Sequence, residues 1–155
     1  MSFNEVKNYI NGAFKSGSSS KTHTVISPLD GSKLTTFQES TMEDLDEIIV
    51  YAQKAQKDWQ KVTLKERAQV FYKYKQLLEQ NSEELTEIIY RENGKIHAEA
   101  KAEIDKAIEL TEFACSLPQF VNGENMEVSK GVFCASSKVP VGIVASIVPF
   151  NFPTM

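Results

Sequence analysis

The segment with the clearest chemical potential is at residues 149–153, where Asn151 stands between two aromatic residues and ahead of Pro153. It follows an apolar run at residues 143–148 that is typical of a strand buried inside a parallel sheet. Because ligands bind at the carboxyl ends of such strands, Asn151 is a candidate for ligand contact. The same residue could instead cap a helix that opens at Pro153, since Asn before Pro is a common start signal. From the residues alone, the capping role is the simpler interpretation.

The cysteines and histidines are poorer candidates for chemistry. Cys115 falls on the apolar stripe of a predicted helix and Cys134 falls in a predicted strand, with no CxxC spacing. Buried free cysteines are usually small inert hydrophobic residues, so we predict that neither is a nucleophile. His23 and His97 are too far apart in the chain to suggest a metal site.

Charged residues on the fourth predicted helix offer a second possibility. Glu99 and Glu103 lie four positions apart, and paired carboxylates can serve in acid–base catalysis. The neighbouring Lys101 and Lys106 instead favour a solvated helix face, and Lys95 is also interpreted as a surface charge. Lys106 retains the possibility of facing an anionic substrate.

Composition limits the classes of partner. The chain has 155 residues, 25% of them charged, and a net charge of −4, which gives no electrostatic basis for nucleic-acid binding. No apolar run approaches the ~18 residues of a membrane span, and the amino terminus lacks the apolar core of a signal peptide. The two widely spaced cysteines fit a reducing compartment. We therefore expect a cytoplasmic protein that binds neither membrane nor nucleic acid.

The order of predicted elements indicates an α/β fold. Strands occupy residues 1–39, with a hairpin turn at Asn11-Gly12. Residues 40–117 carry four amphipathic helices, with capping signals at Ser40 or Thr41, Thr63 and Asn81. An extended segment follows at 124–140, and residues 141–155 are predicted to form the first strand and loop of a doubly wound sheet.

Four segments in register resemble the aldehyde dehydrogenase superfamily: Tyr9-Ile-Asn-Gly12, Glu92-Asn-Gly-Lys95, Val139-Pro-Val-Gly-Ile143 and Pro149-Phe-Asn-Phe-Pro153. Within it, the chain looks most like the CoA-acylating methylmalonate-semialdehyde dehydrogenases. The resemblance covers only the front part of that family's chain. It therefore implies a truncated part of the NAD-binding domain, without the catalytic domain.

The resemblance also implies roles for individual residues. The side-chain amide of Asn151 would donate a hydrogen bond to the oxyanion that forms on the aldehyde carbon. Lys106 aligns with an Arg that is expected in the subfamily to hold the substrate carboxylate. The cofactor would be NAD, with CoA as co-substrate, although no Gly-rich dinucleotide fingerprint follows the strand. Backbone lining the cofactor site would come from Ile147, Val148, Pro149 and Phe150.

The same resemblance sets expectations for the whole protein: a homo-oligomer that oxidises a small aldehyde, with its nucleophile and base beyond Met155. The isolated chain is then expected to be inactive, and to be poorly folded or self-associating because its apolar strand is unpaired. Two alternatives stay open, namely another NAD(P)-dependent semialdehyde dehydrogenase that releases a free acid, and a truncated non-enzymatic product. A free-standing helical binding module would leave the closing strand unexplained.

Overall fold

The computed structural model describes residues 3–155 and confirms the mixed α/β order of elements. Four strands come first, then four long helices, a short helix and a final strand pair. Their bounds are β1 Asn8–Ile10, β2 Ala13–Lys15, β3 Thr22–Ile26, β4 Lys33–Gln38, α1 Met42–Trp59, α2 Leu64–Gln80, α3 Ser82–Asn93, α4 His97–Cys115, α5 Leu117–Phe120, β5 Glu124–Ser129 and β6 Val132–Ser136.

The strands form three antiparallel hairpins, β1–β2, β3–β4 and β5–β6. The turn between β1 and β2 has Asn11 at φ 49° and Gly12 at φ 80°, the positive values that a type I′ turn requires. The predicted turn is therefore confirmed. The extended segment predicted at 124–140 is a hairpin that ends at Ser136.

The helix starts are explained by side-chain capping. Thr41 with Asp44, and Thr63 with Glu66, each form a reciprocal capping box as predicted. Hydrogen bonds from the backbone N–H of Thr41 and from Ser18 lower the pKa of Asp44 below its usual value.

Asn81 precedes α3 as predicted, but the expected side-chain cap is absent. Its side chain donates to the carbonyl oxygen of Leu77 at 2.7 Å instead of capping α3. The reason is that Asn81 also ends α2, so that its backbone is not extended as an N-cap requires.

The core lies where α4 packs against α2 and α3. Ile89, Ala100 and Ile104 are buried there, and Leu85 and Ile108 pack against them. The predicted inward stripe of α4 is confirmed, since Thr111 and Cys115 are buried as well as Ile104. By contrast, α1 has no buried residue, and its predicted apolar stripe is half-buried or exposed.

The apolar run at residues 143–148 is neither helix nor strand, and its large side chains are exposed, Ile147 by 99%. The prediction that this run is a buried strand is therefore wrong for the described structure. A strand needs hydrogen-bonded neighbours, and none of the three hairpins lies beside this segment. Within residues 3–155, no helix combines the length and apolarity that crossing a bilayer demands.

Candidate functional site

Asn151 lies in a tight turn of residues 149–152. The backbone N–H of Phe152 donates to the carbonyl oxygen of Pro149 at 3.2 Å, which closes the turn. The Asn151 side chain is exposed and makes no hydrogen bond with any residue from 3 to 155. No helix begins at Pro153 in the described residues, so the capping alternative has no helix to act on here.

Two contacts hold the residues that flank Asn151. On one side, Asn93 Nδ2 donates to the carbonyl oxygen of Phe150 at 2.8 Å. On the other side, Lys95 Nζ lies 4.2 Å from the ring centroid of Phe152, within the range of a cation–π contact. The turn is therefore attached to the connection between α3 and α4, more than fifty residues earlier in the chain.

A buried ion pair lies behind this turn. Lys95 Nζ is 2.6 Å from Glu103 Oε2, and the exposed fractions of the two side chains are 16% and 1%. The other carboxylate oxygen, Glu103 Oε1, accepts the backbone N–H of Thr154 at 2.8 Å. Glu103 thus joins α4, the α3–α4 connection and Thr154, two residues after the turn.

The interpretation of Lys95 and Glu103 as surface charges is wrong. Buried residues of α4 recur at three- and four-residue spacing, and Glu103 falls inside that stripe: Ala100, Glu103, Ile104, Ala107, Thr111 and Cys115. Glu99 lies outside the stripe and is exposed. The helical period could have identified Glu103 as a buried residue. A partner would then have been expected, because almost all buried carboxylates have a charged or hydrogen-bonding partner.

Gly94 places Lys95 in position. It ends α3 in the left-handed conformation at φ 82°, as the sequence predicted for Asn93-Gly94. A Cβ at this position would lie 2.9 Å from Pro28 Cγ, so glycine also permits close packing against the β3–β4 turn. The Ser27 hydroxyl donates to the carbonyl oxygen of Arg91 at 3.0 Å and fixes the same end of α3.

A cleft separates α4 from the turn, and it is lined by Lys95, Glu103, Lys106, Phe152 and Met155 among others. Lys106 Nζ pairs with Glu109 Oε2 at 2.6 Å, and both side chains are largely exposed. Such an exposed pair contributes about 0–1 kcal/mol, so an incoming anion could replace Glu109 at low cost. The structure thus brings Lys106 to the same cleft as the Asn151 turn.

The four residues predicted to line a cofactor site precede Asn151, and their large side chains are exposed. The side chains of Val148 and Phe150 therefore do not pack in a core here. The backbone groups of Ile147 and Val148 make no hydrogen bond within residues 3–155. They are consequently open to a partner.

The remaining candidates do not assemble into a site. Cys115 is buried as predicted, but Cys134 is exposed on β6, which corrects the expectation that it is buried. His97 stacks on Tyr90 with ring centroids 3.9 Å apart. In the part of the chain that the structure describes, no three His, Cys, Asp or Glu residues are grouped to hold a metal ion.

Comparisons with known proteins identify the family of the chain. The sequence model of the aldehyde dehydrogenase family matches residues 14–155. A malonate-semialdehyde dehydrogenase of Bacillus mycoides (strain KBAB4) is 38% identical over 151 residues, which are 97% of this chain and 31% of the relative.

Two solved structures superpose over nearly the whole chain. The methylmalonate-semialdehyde dehydrogenase of Oceanimonas doudoroffii has a TM-score of 0.93 at 32% identity, covering 99% of this chain and 31% of its own. A Sinorhizobium meliloti 1021 protein in complex with NAD, assigned as a methylmalonate-semialdehyde dehydrogenase, has a TM-score of 0.92 at 34% identity, covering 100% and 32%. The chain thus spans about a third of the length of the proteins it matches. With a family match across most of its residues and this superposition, the chain belongs to the aldehyde dehydrogenase family.

Proposed function

We propose that this chain forms the amino-terminal part of an NAD-dependent dehydrogenase that converts malonate or methylmalonate semialdehyde into an acyl-CoA. The observation that carries the proposal is the anchored turn of residues 149–152, in which the Asn151 amide is unpaired and Phe152 lines the same cleft as Lys106. The malonate- and methylmalonate-semialdehyde dehydrogenases among the relatives support the substrate class.

In this proposal, the side-chain amide of Asn151 donates a hydrogen bond to the aldehyde oxygen. A cysteine thiolate from outside residues 1–155 adds to the aldehyde carbon, and the carbonyl electron pair moves to oxygen. A primary amide suits the resulting oxyanion because it donates an N–H without carrying a charge of its own. The donor must be in place before the charge develops, which an anchored turn provides.

The backbone of the residues before Asn151 is proposed to contact the cofactor. Bound NAD would accept the hydride that leaves the aldehyde carbon, after which a thioester remains for CoA, or alternatively water, to release. The unpaired backbone groups of Ile147 and Val148 are available for hydrogen bonds to such a ligand. Pro149 and Phe150 contribute differently, since their carbonyl oxygens already accept bonds that shape the turn.

Lys106 is proposed to bind the carboxylate of the semialdehyde. Replacing it with Gln should raise KM for malonate semialdehyde by about 10-fold to 100-fold, the scale of a lost charged hydrogen bond. KM for propanal, which has no carboxylate, should change little. Steady-state kinetics with both substrates provide the measurement, and Lys106→Arg, which keeps the charge, is the matched control. An equal rise in both KM values would remove Lys106 from the substrate site.

The activity itself is tested with the full-length protein that contains this chain. NADH formation is followed by its absorbance with malonate semialdehyde, methylmalonate semialdehyde and propanal, each with and without CoA. We expect CoA-dependent turnover of the two semialdehydes and an acyl-CoA product by mass spectrometry. A free-acid product would instead place the protein among hydrolytic semialdehyde dehydrogenases, and no NADH from any aldehyde would contradict the proposal.

A further inference from the structure

We propose that the buried Lys95–Glu103 pair is a positioning device for Asn151, so that Glu103 controls the oxyanion donor without touching substrate. The inference rests on the function proposed for Asn151. It starts from the finding that the Asn151 amide has no hydrogen-bond partner of its own among residues 3–155, whereas the residues around it are anchored.

Two contacts fix the orientation of the Glu103 carboxylate. Oε2 pairs with Lys95 Nζ at 2.6 Å, and Oε1 accepts the Thr154 N–H at 2.8 Å. Because only 1% of the side chain is exposed, water cannot easily replace either contact. Rotation of the carboxylate would break at least one of them, so Thr154, two residues after the turn, is held at a fixed distance from α4.

Lys95 transmits this constraint to the residue next to Asn151. Its ammonium group contacts both the Glu103 carboxylate and the face of the Phe152 ring, 4.2 Å from the centroid. With Asn93 holding the carbonyl of Phe150, the turn is anchored before Asn151, directly after it, and again at Thr154. An exposed turn without these anchors would sample many orientations, and a donor must be preorganised to stabilise charge.

A purely structural role for the ion pair is the competing explanation, and energetic coupling separates the two. If Glu103 acts through Asn151, the effects of Glu103→Ala and Asn151→Ala on kcat will not add. If the pair only supports the fold, the two effects will be independent and will multiply within about twofold.

The experiment is a double-mutant cycle in the full-length protein, with kcat normalised to the titrated active-site concentration. Glu103→Ala should lower kcat by about 100-fold, the cost of a misplacement of about 1 Å, while KM stays within about threefold. In the Asn151→Ala background, the same change should lower kcat by less than about twofold. Asp105→Asn, which breaks the exposed Lys101–Asp105 pair on the same helix, is the matched control and should leave kcat unchanged.

The remaining outcomes separate the positioning role of Glu103 from a purely structural role. Should Glu103→Ala fail to fold, Lys95→Met/Glu103→Leu removes both charges together, and it should show the same kcat loss and faster hydrogen exchange at residues 150–154. Wild-type kcat in that variant, or independent effects in the cycle, would overturn the positioning role while leaving Asn151 as donor. A normal kcat in Asn151→Ala alone would instead overturn the proposed function of Asn151, and this inference with it.

Discussion

Replacing Asn151 with Ala should lower kcat by roughly 10²–10³, which corresponds to about 2.7–4 kcal/mol of lost transition-state stabilisation. The physical reason is that the side-chain amide, unpaired in the described structure, would donate only to the oxyanion. Because that charge is absent from the bound aldehyde, KM should change much less than kcat. Steady-state kinetics of the full-length protein measure both constants.

The capping alternative gives a different pattern in the same variant. A lost helix cap would cost about 0.5–2 kcal/mol of stability and leave kcat nearly normal. The dissociation constant of NAD serves as the internal control, since the contacts proposed at Ile147 and Val148 come from backbone. A variant that loses only melting temperature would show that Asn151 is structural.

Replacing Lys95 with Met should destabilise the fold by about 3–5 kcal/mol, because it leaves the Glu103 carboxylate buried without its counter-charge. The Glu103 side chain is only 1% exposed, so solvent cannot compensate for the missing ammonium group. The midpoint of urea denaturation, compared with that of the unaltered protein, measures the loss.

Two controls distinguish a buried charge from an ordinary contact. Lys95→Met/Glu103→Leu removes both charges and should recover most of the lost stability, since apolar replacement of a buried pair is often neutral. Lys101→Met breaks an exposed pair on the same helix and should change stability by less than about 0.5 kcal/mol. If Lys95→Met lowers the free energy of unfolding by less than about 1 kcal/mol, loss of Lys95 does not leave Glu103 as an uncompensated buried charge, and the prediction is wrong.

Features set by neighbouring residues were predictable from the sequence. The Asn11-Gly12 turn, the capping boxes at Thr41 and Thr63, and the left-handed end of α3 at Gly94 all depend on contacts within a few positions. The resemblance in motifs predicted the family, which the comparisons confirm, and indicated the candidate site segment.

Features that depend on distant residues were not predictable in the same way. The run at 143–148 has the composition of a buried strand, but its state depends on neighbouring strands that residues 3–155 do not provide. The charges of Lys95 and Glu103 suggested solvent exposure, and only the three-dimensional path through Gly94 brings them together. The Asn151 turn was identified, but the contacts that anchor it were not.

The connection between α3 and α4 has only three residues, 94–96, and its length has a consequence for sequence change in this family. Asn93 and Lys95 lie on either side of Gly94 and reach Phe150 and Phe152, which lie on either side of Asn151. An insertion or deletion here would displace one contact relative to the other and tilt the turn. The turn at residues 130–131 between β5 and β6 is hydrogen-bonded only within its own hairpin among the described residues. Length variation should therefore accumulate there and be excluded between α3 and α4.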